Sequence, residues 1–417
     1  MARTDTRTGG RDATQGVIPG DICLSVGKPA MTEPDGFAWT PLAEMARLES
    51  GHTPSRSNPG YWDGDIPWIG IRDATGNHGR RLMDTEQHVT QLGIDNSSAR
   101  VLPPDTVCLS RTASVGFVVT MGVPMATSQD FVNWVCGPDL NHRYLHFALL
   151  LEQRAVRERF AHGSTHQTMY YPEAKALHLL TPPRTVQDAI AELLGALDDK
   201  IAANERIVAL ASELGAATFR ASAASNTEVL SDVATIVMGT SPTGETMNED
   251  GRGVPFQQGV RDFGVRFPSD RVWTTAPIRY ASPGDVLLSV RAPVGRTNVA
   301  DKDMCIGRGL AAIRSRRGTP WTLFHALSSV PDVWEPFEAG GTVFGSINKS
   351  QLASLEVPAV EGLVSALEAR LAPLEERIAV AERESQKLAD LRDALLPELM
   401  SGRLRVKDAE KTVEEVV

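Results

Sequence analysis

Pro183-Arg184-Thr185-Val186-Gln187-Asp188-Ala189-Ile190-Ala191-Glu192-Leu193-Leu194 opens a run that continues to Arg220 and decides how the chain is read. Ile190, Leu194, Leu197, Ile201, Asn204, Val208 and Ala211 fall in alternating steps of four and three, the spacing of a coiled-coil seam. A second run, Leu363 to Met400, repeats the pattern with Leu367, Leu371, Leu374, Ile378, Ala381, Ser385 and Leu388. Both seams carry polar or small residues where register, rather than maximum stability, is set. Pro373 is expected to kink the second helix or delay its start. Each helix has an obvious partner in the other; two separate core helices of a globular fold would show the same spacing.

The segment before the first helix recurs before the second. Pro41-Leu42-Ala43-Glu44-Met45-Ala46, closing on Gly51-His52-Thr53-Pro54-Ser55, matches Val229-Leu230-Ser231-Asp232-Val233-Ala234, closing on Gly239-Thr240-Ser241-Pro242-Thr243, at an offset of 188. That offset still holds at Ile66-Pro67-Trp68-Ile69 against Val254-Pro255-Phe256-Gln257. Pro104-Asp105-Thr106-Val107-Cys108-Leu109-Ser110 then matches Pro283-Gly284-Asp285-Val286-Leu287-Leu288-Ser289 at 179, and Gly163-Ser164-Thr165 matches Gly340-Gly341-Thr342 at 177. The chain is two copies of one unit, globule then helix.

A length of 417 residues with 42% apolar side chains allows two to three domains with real cores. Four cysteines, Cys23, Cys108, Cys136 and Cys305, lie far apart without a Cys-x-x-Cys pair, so they read as thiols in a reducing cytoplasm rather than as a zinc site or disulfide frame. No apolar run approaches the roughly 18 residues of a membrane span. Residues 1–37 read as a flexible leader, or around Gly20 to Val26 as a short edge strand. Residues 38–182 form a first globule with strands near Thr106–Ser110 and Gly116–Met121 and a helix over Tyr144–Phe160. Residues 183–224 are the first long helix, and residues 225–360 a second globule with strands at Val286–Val290 and Leu310–Ile313 and a helix near Thr322–Phe337. Residues 361–402 are the second long helix and 403–417 a charged tail. The expected fold class is α+β, with two repeated α/β domains separated by two long antiparallel coiled-coil helices.

The net charge of −10 argues, taken globally, against a polyanionic partner. Its distribution argues otherwise. Between Arg252 and Arg317 stand eleven Arg and one Lys against five Asp, whereas residues from Glu361 onward hold thirteen acidic and nine basic side chains. From Trp39 to Leu180 twelve basic residues face fourteen acidic ones, so a basic face there must come from placement. A solvated surface would show the same numbers.

Catalytic motifs are mostly excluded. Asn58-Pro59-Gly60-Tyr61 resembles the Asn-Pro-Pro-Tyr tetrapeptide of adenine amino-methyltransferases, but it lacks the second proline and a preceding strand and Gly-rich loop; it reads as a turn. Gly307-Arg308-Gly309 is too short for a dinucleotide fingerprint and reads as a backbone bend. His162 and His166 would pair on a metal only within a helix, and Gly163-Ser164-Thr165 between them reads as loop. Two alternatives stay open: a divergent stand-alone DNA methyltransferase built on Asn58–Tyr61, and a protein-binding scaffold whose helices are the working surface.

The order of these motifs, twice over, resembles the specificity subunits of type I restriction-modification systems. The carriers are the Leu-x-x-x-Ala segment, the Gly-x-Thr/Ser-Pro turn, Ile66-Pro67-Trp68-Ile69 and Pro283-Gly284-Asp285-Val286-Leu287-Leu288-Ser289. Gly340-Gly341-Thr342-Val343-Phe344-Gly345-Ser346-Ile347-Asn348-Lys349-Ser350-Gln351-Leu352 closes the second copy in the same manner. Leu193–Asn204 is similar to the central conserved helix of that family, and Leu391–Gly402 to its terminal one. The first copy departs from the pattern at His166-Gln167-Thr168-Met169-Tyr170. The resemblance implies two target-recognition domains that each read half of an asymmetric bipartite site in double-stranded DNA. It also implies helices that hold them apart and dock two methyltransferase subunits and, where a nuclease accompanies the system, restriction subunits. Cofactors would then be absent from this chain, with S-adenosylmethionine, ATP and Mg on the partner subunits. About 35 helical residues at 1.5 Å each give roughly 50 Å, more than one duplex turn of about 34–36 Å.

Base reading favours Arg for guanine and Asn or Gln for adenine, while other basic side chains hold phosphates. In predicted loops of the first globule the candidates are Arg72, Arg80, Arg81, Arg111, Gln129 and Gln167. In the second they are Gln257, Arg261, Arg266, Arg291, Arg296, Asn348 and Lys349. Each could equally serve as a surface or structural side chain.

Overall fold

A computed structural model describes residues 16–163, 166–338 and 345–416. The chain divides into two compact units, Met1–Asp199 with Leu388–Val417, and Lys200–Lys387. The paired Gly163-Ser164-Thr165 and Gly340-Gly341-Thr342 motifs, with Val343 and Phe344, lie partly or wholly outside the described residues, as do residues 1–15 of the expected leader.

In the first unit, strands Ala46–Ser50, Phe131–Cys136, Val107–Ser110, Val118–Met121 and Arg80–Leu82 form one sheet in that order. Val107–Ser110 is a central strand buried along its whole length, which is why Val-Cys-Leu-Ser reads as an unbroken run rather than an alternation. A smaller sheet holds Ala126–Thr127, Trp62–Ile69 and Gln87–Val89, the first two parallel. In the second unit the order Ala234–Met238, Leu310–Ser315, Val286–Ser289 and Thr297–Val299 repeats the first sheet without its last strand. The parallel pair recurs as Val254–Gln257 beside Met304–Ile306. One helix follows each main sheet, His142–Leu151 and Pro320–Ser328. The N-terminus of each is held by the long helix downstream of it. Asn141, the cap of the first, donates its N–H to Gln187 Oε1 at 3.0 Å, and Glu368 accepts from the N–H groups of Trp321 and Thr322 at 3.1 and 2.8 Å.

Of the two readings of residues 1–37, the short strand holds from residue 16 onward, though inside its sheet rather than at an edge. Leu24–Val26 is a buried strand between Ile18–Pro19 and Leu177–Thr181, and the loop before it is gathered by one carboxylate. Glu152, fully buried, accepts from the N–H groups of Asp21, Ile22 and Cys23 at 2.6 Å each and of Leu24 at 3.2 Å. Asp21 itself pairs with Arg154 at 3.3 Å and with Arg159. The polar composition hid this, because what binds the segment is its backbone.

The long helices are Arg184–Arg220 and Val364–Met400, of 37 residues each. Pro373 does not delay the second, which starts at Val364. In the second unit they run antiparallel: Asn204 donates to Glu384 at 2.8 Å, Val208 and Ala211 pack with Ile378 and Ala381, and Phe219 joins the cluster of Leu367 and Leu371. In the first unit Arg392 binds Asp198 at 2.7 Å, and Ile190, Leu194, Leu197 and Leu388 are buried. Ile201 is half-buried. The expected seam slips at one place: Leu374 is only half-buried and Glu375 is buried in its stead.

Glu375 sits there because a guanidinium and an imidazole meet it. Its Oε1 is 2.8 Å from His325 Nε2, and its Oε2 is 2.6 Å from Arg266 Nε, an approach out of line with the N–H bond and therefore an ionic contact. Arg266 also lies 4.0 Å over the Phe324 ring, and its backbone N–H donates to Glu382 at 3.1 Å. Burial pulls the Arg266 guanidinium pKa down, while Glu375 and Glu382 hold it up. Breaking such a pair from one side leaves an uncompensated buried charge. Arg266→Ala is therefore expected to lower the unfolding free energy by about 3–5 kcal/mol in urea titrations of the full chain. Arg266→Met with Glu375→Leu should lose less; an Arg266→Ala chain as stable as the parent would show that Glu375 is solvated.

Candidate nucleic-acid interface

The Gly-x-Thr/Ser-Pro turn of each unit is pinned to the loop that follows the second parallel strand. His52 N–H donates to Thr127 O, and Thr240 N–H to Ile306 O, both at 2.9 Å. Ser128 N–H donates to Ile69 O at 3.0 Å, and Gly307 N–H to Gln257 O at 2.8 Å. Phe131 N–H reaches Ser128 O at 3.3 Å, and Leu310 N–H reaches Gly307 O at 3.0 Å. Arg111 N–H donates to Asp130 O at 2.7 Å, and Val290 N–H to Gly309 O at 2.9 Å. These four matched pairs equate Gln129 with Arg308, the exposed residue at the tip of each loop. Glycine opens the turn in both copies because a Cβ on Gly51 would stand 2.0 Å from Ser128 O, and one on Gly239 2.1 Å from Gly307 O.

Beside each tip lies a crevice. In the first unit it is lined by Arg56, Trp68, Arg72, Glu86, Gln87 and Asp130. The Arg56 guanidinium is 4.4 Å from the Trp62 ring centre and 5.4 Å from that of Trp68, and donates to Gln87 Oε1 at 3.0 Å. In the second unit Phe256 takes the place of Trp68, and the rim carries Ser241, Gln258, Arg271 and Arg308. Arg271 grips Asp262 through two bonds of 2.8 and 3.0 Å, which raises its own pKa.

Most of the sequence-derived candidates in the first unit face solvent. Arg72 is exposed and 3.4 Å from Glu86; Arg80 and Arg81 lie exposed on one strand, with Arg81 2.5 Å from Asp105. Gln129 accepts from Thr53 Oγ1, and Gln167 is exposed. Arg111 is half-buried and donates to Met169 O at 3.5 Å; burial lowers its pKa, against the pull of Asp130. In the second unit Arg261, Arg291, Arg296 and Lys349 are exposed.

Two candidates are corrected. Gln257 is buried and donates to Ser269 O at 3.0 Å, because the strand that carries it is the inner member of the parallel pair. Arg266 is buried at 4% exposure, committed to Glu375. Asn348 is exposed, but its side chain caps the helix Lys349–Ala353 by accepting from Gln351 N–H at 2.9 Å. Sequence reasoning missed Arg56, Gln87, Gln258 and Arg308; the Gly-x-Thr/Ser-Pro turn beside them was the available signal.

Asn58–Tyr61 is a turn, as read: Asn58 Oδ1 accepts from Gly60 N–H at 3.1 Å within a short 3-10 segment. His162 lies 3.5 Å from Glu173, and no cluster of metal-ligating side chains occurs among the described residues. No helix among them is long and apolar enough to cross a membrane.

Comparison with known proteins agrees with this geometry. The type I restriction modification DNA specificity domain matches residues 34–210. The chain is 35% identical over 175 residues to the putative type I restriction enzyme MjaX specificity subunit of Methanocaldococcus jannaschii, a stretch covering 41% of each protein. It is 27% identical over 163 residues to the MjaIX specificity subunit of the same organism, covering 38% of this chain and 37% of that one. The matched stretch thus spans less than half the length of either relative. The S subunit of the type I restriction-modification system from M. genitalium shares the fold, with a TM-score of 0.62 at 15% identity over 89% of this chain and 97% of that one. Residues 34–210 thus match the type I restriction modification DNA specificity domain, and the same strand frame is built a second time within Lys200–Lys387.

Proposed function

We propose that this chain is the sequence-reading subunit of a type I restriction-modification complex. Each unit reads one half of an asymmetric bipartite site in double-stranded DNA, and the chain carries out no chemistry of its own. Two methyltransferase subunits supply the reaction, with S-adenosylmethionine on them and ATP and Mg on any restriction subunits. The observation that carries this reading is the repeated frame: matched backbone bonds hold two loops in the same way but present different side chains, Gln129 and Arg308. Two readers of one design with unlike tips suit a site whose halves differ in sequence. A stand-alone methyltransferase finds no support in Asn58, whose side-chain oxygen is occupied by its own turn.

The test is an exchange. Replacing residues 229–358 by the equivalent part of a relative, in the complete complex, is expected to change one half-site only in a base-resolved methylation map of the host genome. Alteration of both halves would contradict independent readers. The basic excess in the second unit generates a further expectation. Arg291 and Arg296 are exposed and well placed for phosphates. Arg291→Ala or Arg296→Ala should weaken binding across all sequences and reduce the slope of log K against log salt by about one unit each. An unchanged slope in both variants would remove them from the interface.

A further inference from the structure

Resting on that reading, we propose that Gln129 and Arg308 are equivalent specificity-determining residues, Gln129 reading an adenine in one half-site and Arg308 a guanine in the other. The Gly307-Arg308-Gly309 stretch looks in sequence like a mere bend. In the structure Gly309 is required by packing, because a Cβ there would stand 2.3 Å from the backbone oxygen of Gln258, while one on Gly307 would meet the end of the Gln258 side chain at 2.4 Å. The bend is thereby a fixed pedestal for one exposed guanidinium.

The pedestal is the same in both units. Backbone bonds at the residue before each tip and at the residue after it fix Ser128 and Asp130 in one case and Gly307 and Gly309 in the other. The hydroxyl at the third position of the Gly-x-Thr/Ser-Pro turn supports each tip. Thr53 Oγ1 donates to Gln129 Oε1, and Ser241 Oγ accepts from Arg308 N–H at 3.3 Å while donating to Gln258 Oε1 at 3.0 Å. A side chain reads a base edge best when its position is settled beforehand: the Thr53 hydroxyl holds the Gln129 carboxamide, and Ser241 holds the backbone that carries Arg308.

The chemistry of the two tips then differs in the way base readout requires. A carboxamide offers one acceptor and one donor side, which matches the N6 and N7 edge of adenine; Gln129 keeps its Nε2 donors and a second lone pair on Oε1 beside the Thr53 bond. A guanidinium offers only donors in a fork, which matches the O6 and N7 edge of guanine. Arg291 and Arg296 are exposed too but are assigned to phosphates above, and Arg266 is buried.

The experiment uses the complete complex, tritiated S-adenosylmethionine and a library of duplexes randomised at each position of the methylated site. Arg308→Ala and Arg308→Lys are both expected to lower the preference for guanine at one position of one half-site by roughly 5- to 150-fold. Gln129→Ala should lower an adenine preference at one position of the other half-site by a similar factor. Each variant should leave the opposite half-site unaltered, and co-purification with the methyltransferase subunits reports that the variant has folded. A lysine that behaves as the parent arginine would assign Arg308 to a phosphate and overturn the proposal. So would a uniform fall in methylation without any change of base preference. A parental complex that methylates no bipartite sequence would instead overturn the functional reading itself.

Discussion

Glu375 is a carboxylate placed inside an apolar helix seam, and the second unit is assembled around satisfying it. Arg266 arrives from the loop before the strand Trp273–Thr274 and His325 from the helix that backs the main sheet, so three separate stretches of chain converge on one group. An ion pair of this kind adds little to stability compared with a well-packed apolar substitute, but it tolerates few alternative arrangements. The antiparallel register of the helices inside this unit follows on the same seam, with Asn204 bonded to Glu384 and Lys200 3.2 Å from Glu384. Polar residues at core positions of a coiled coil set register at a cost in stability, and here they do so beside a globule that must be held in one orientation.

The first unit solves the same problem with different chemistry. Its backing helix is anchored through the Asn141 cap and Gln187 rather than through a buried histidine–glutamate bond, and the N-terminal strand is clamped by Glu152. Against this divergence in the supports, the loops that carry Gln129 and Arg308 have kept matching backbone bonds. The docking of the segments around Met169 and Ile347 is also kept: Met169 N–H donates to Arg111 O at 2.9 Å, and Ile347 N–H to Val290 O at 3.0 Å, although the two sequences there differ. The loops argued to face DNA are thus among the parts of the repeat whose backbone bonds match.

Much of the architecture was legible because it is periodic or repeated. The seam spacing located both long helices, and the offset of 188 located the turn and one strand of the parallel pair in both units. Exposure was not legible. Gln257 and Arg266 carry the same side-chain types as surface readers, and only the third dimension shows one inside a parallel strand pair and the other over a phenyl ring. The Leu374 position failed for a related reason: hydrophobic spacing cannot register a buried glutamate whose partners lie about 50 and 110 residues upstream. Arg308 was hidden because its two flanking glycines look like flexibility, whereas they permit close approach to Gln258. The anchoring of the N-terminal strand was not legible, because the groups that bind it are main-chain N–H groups, which every composition shares.

The central claim is that one chain carries two separate readers of one design. Hydroxyl-radical footprinting of the assembled complex on a duplex containing its methylated sequence tests this most directly. Two protected segments divided by an accessible spacer are expected. One unbroken protected segment, or protection confined to a single half, would contradict it.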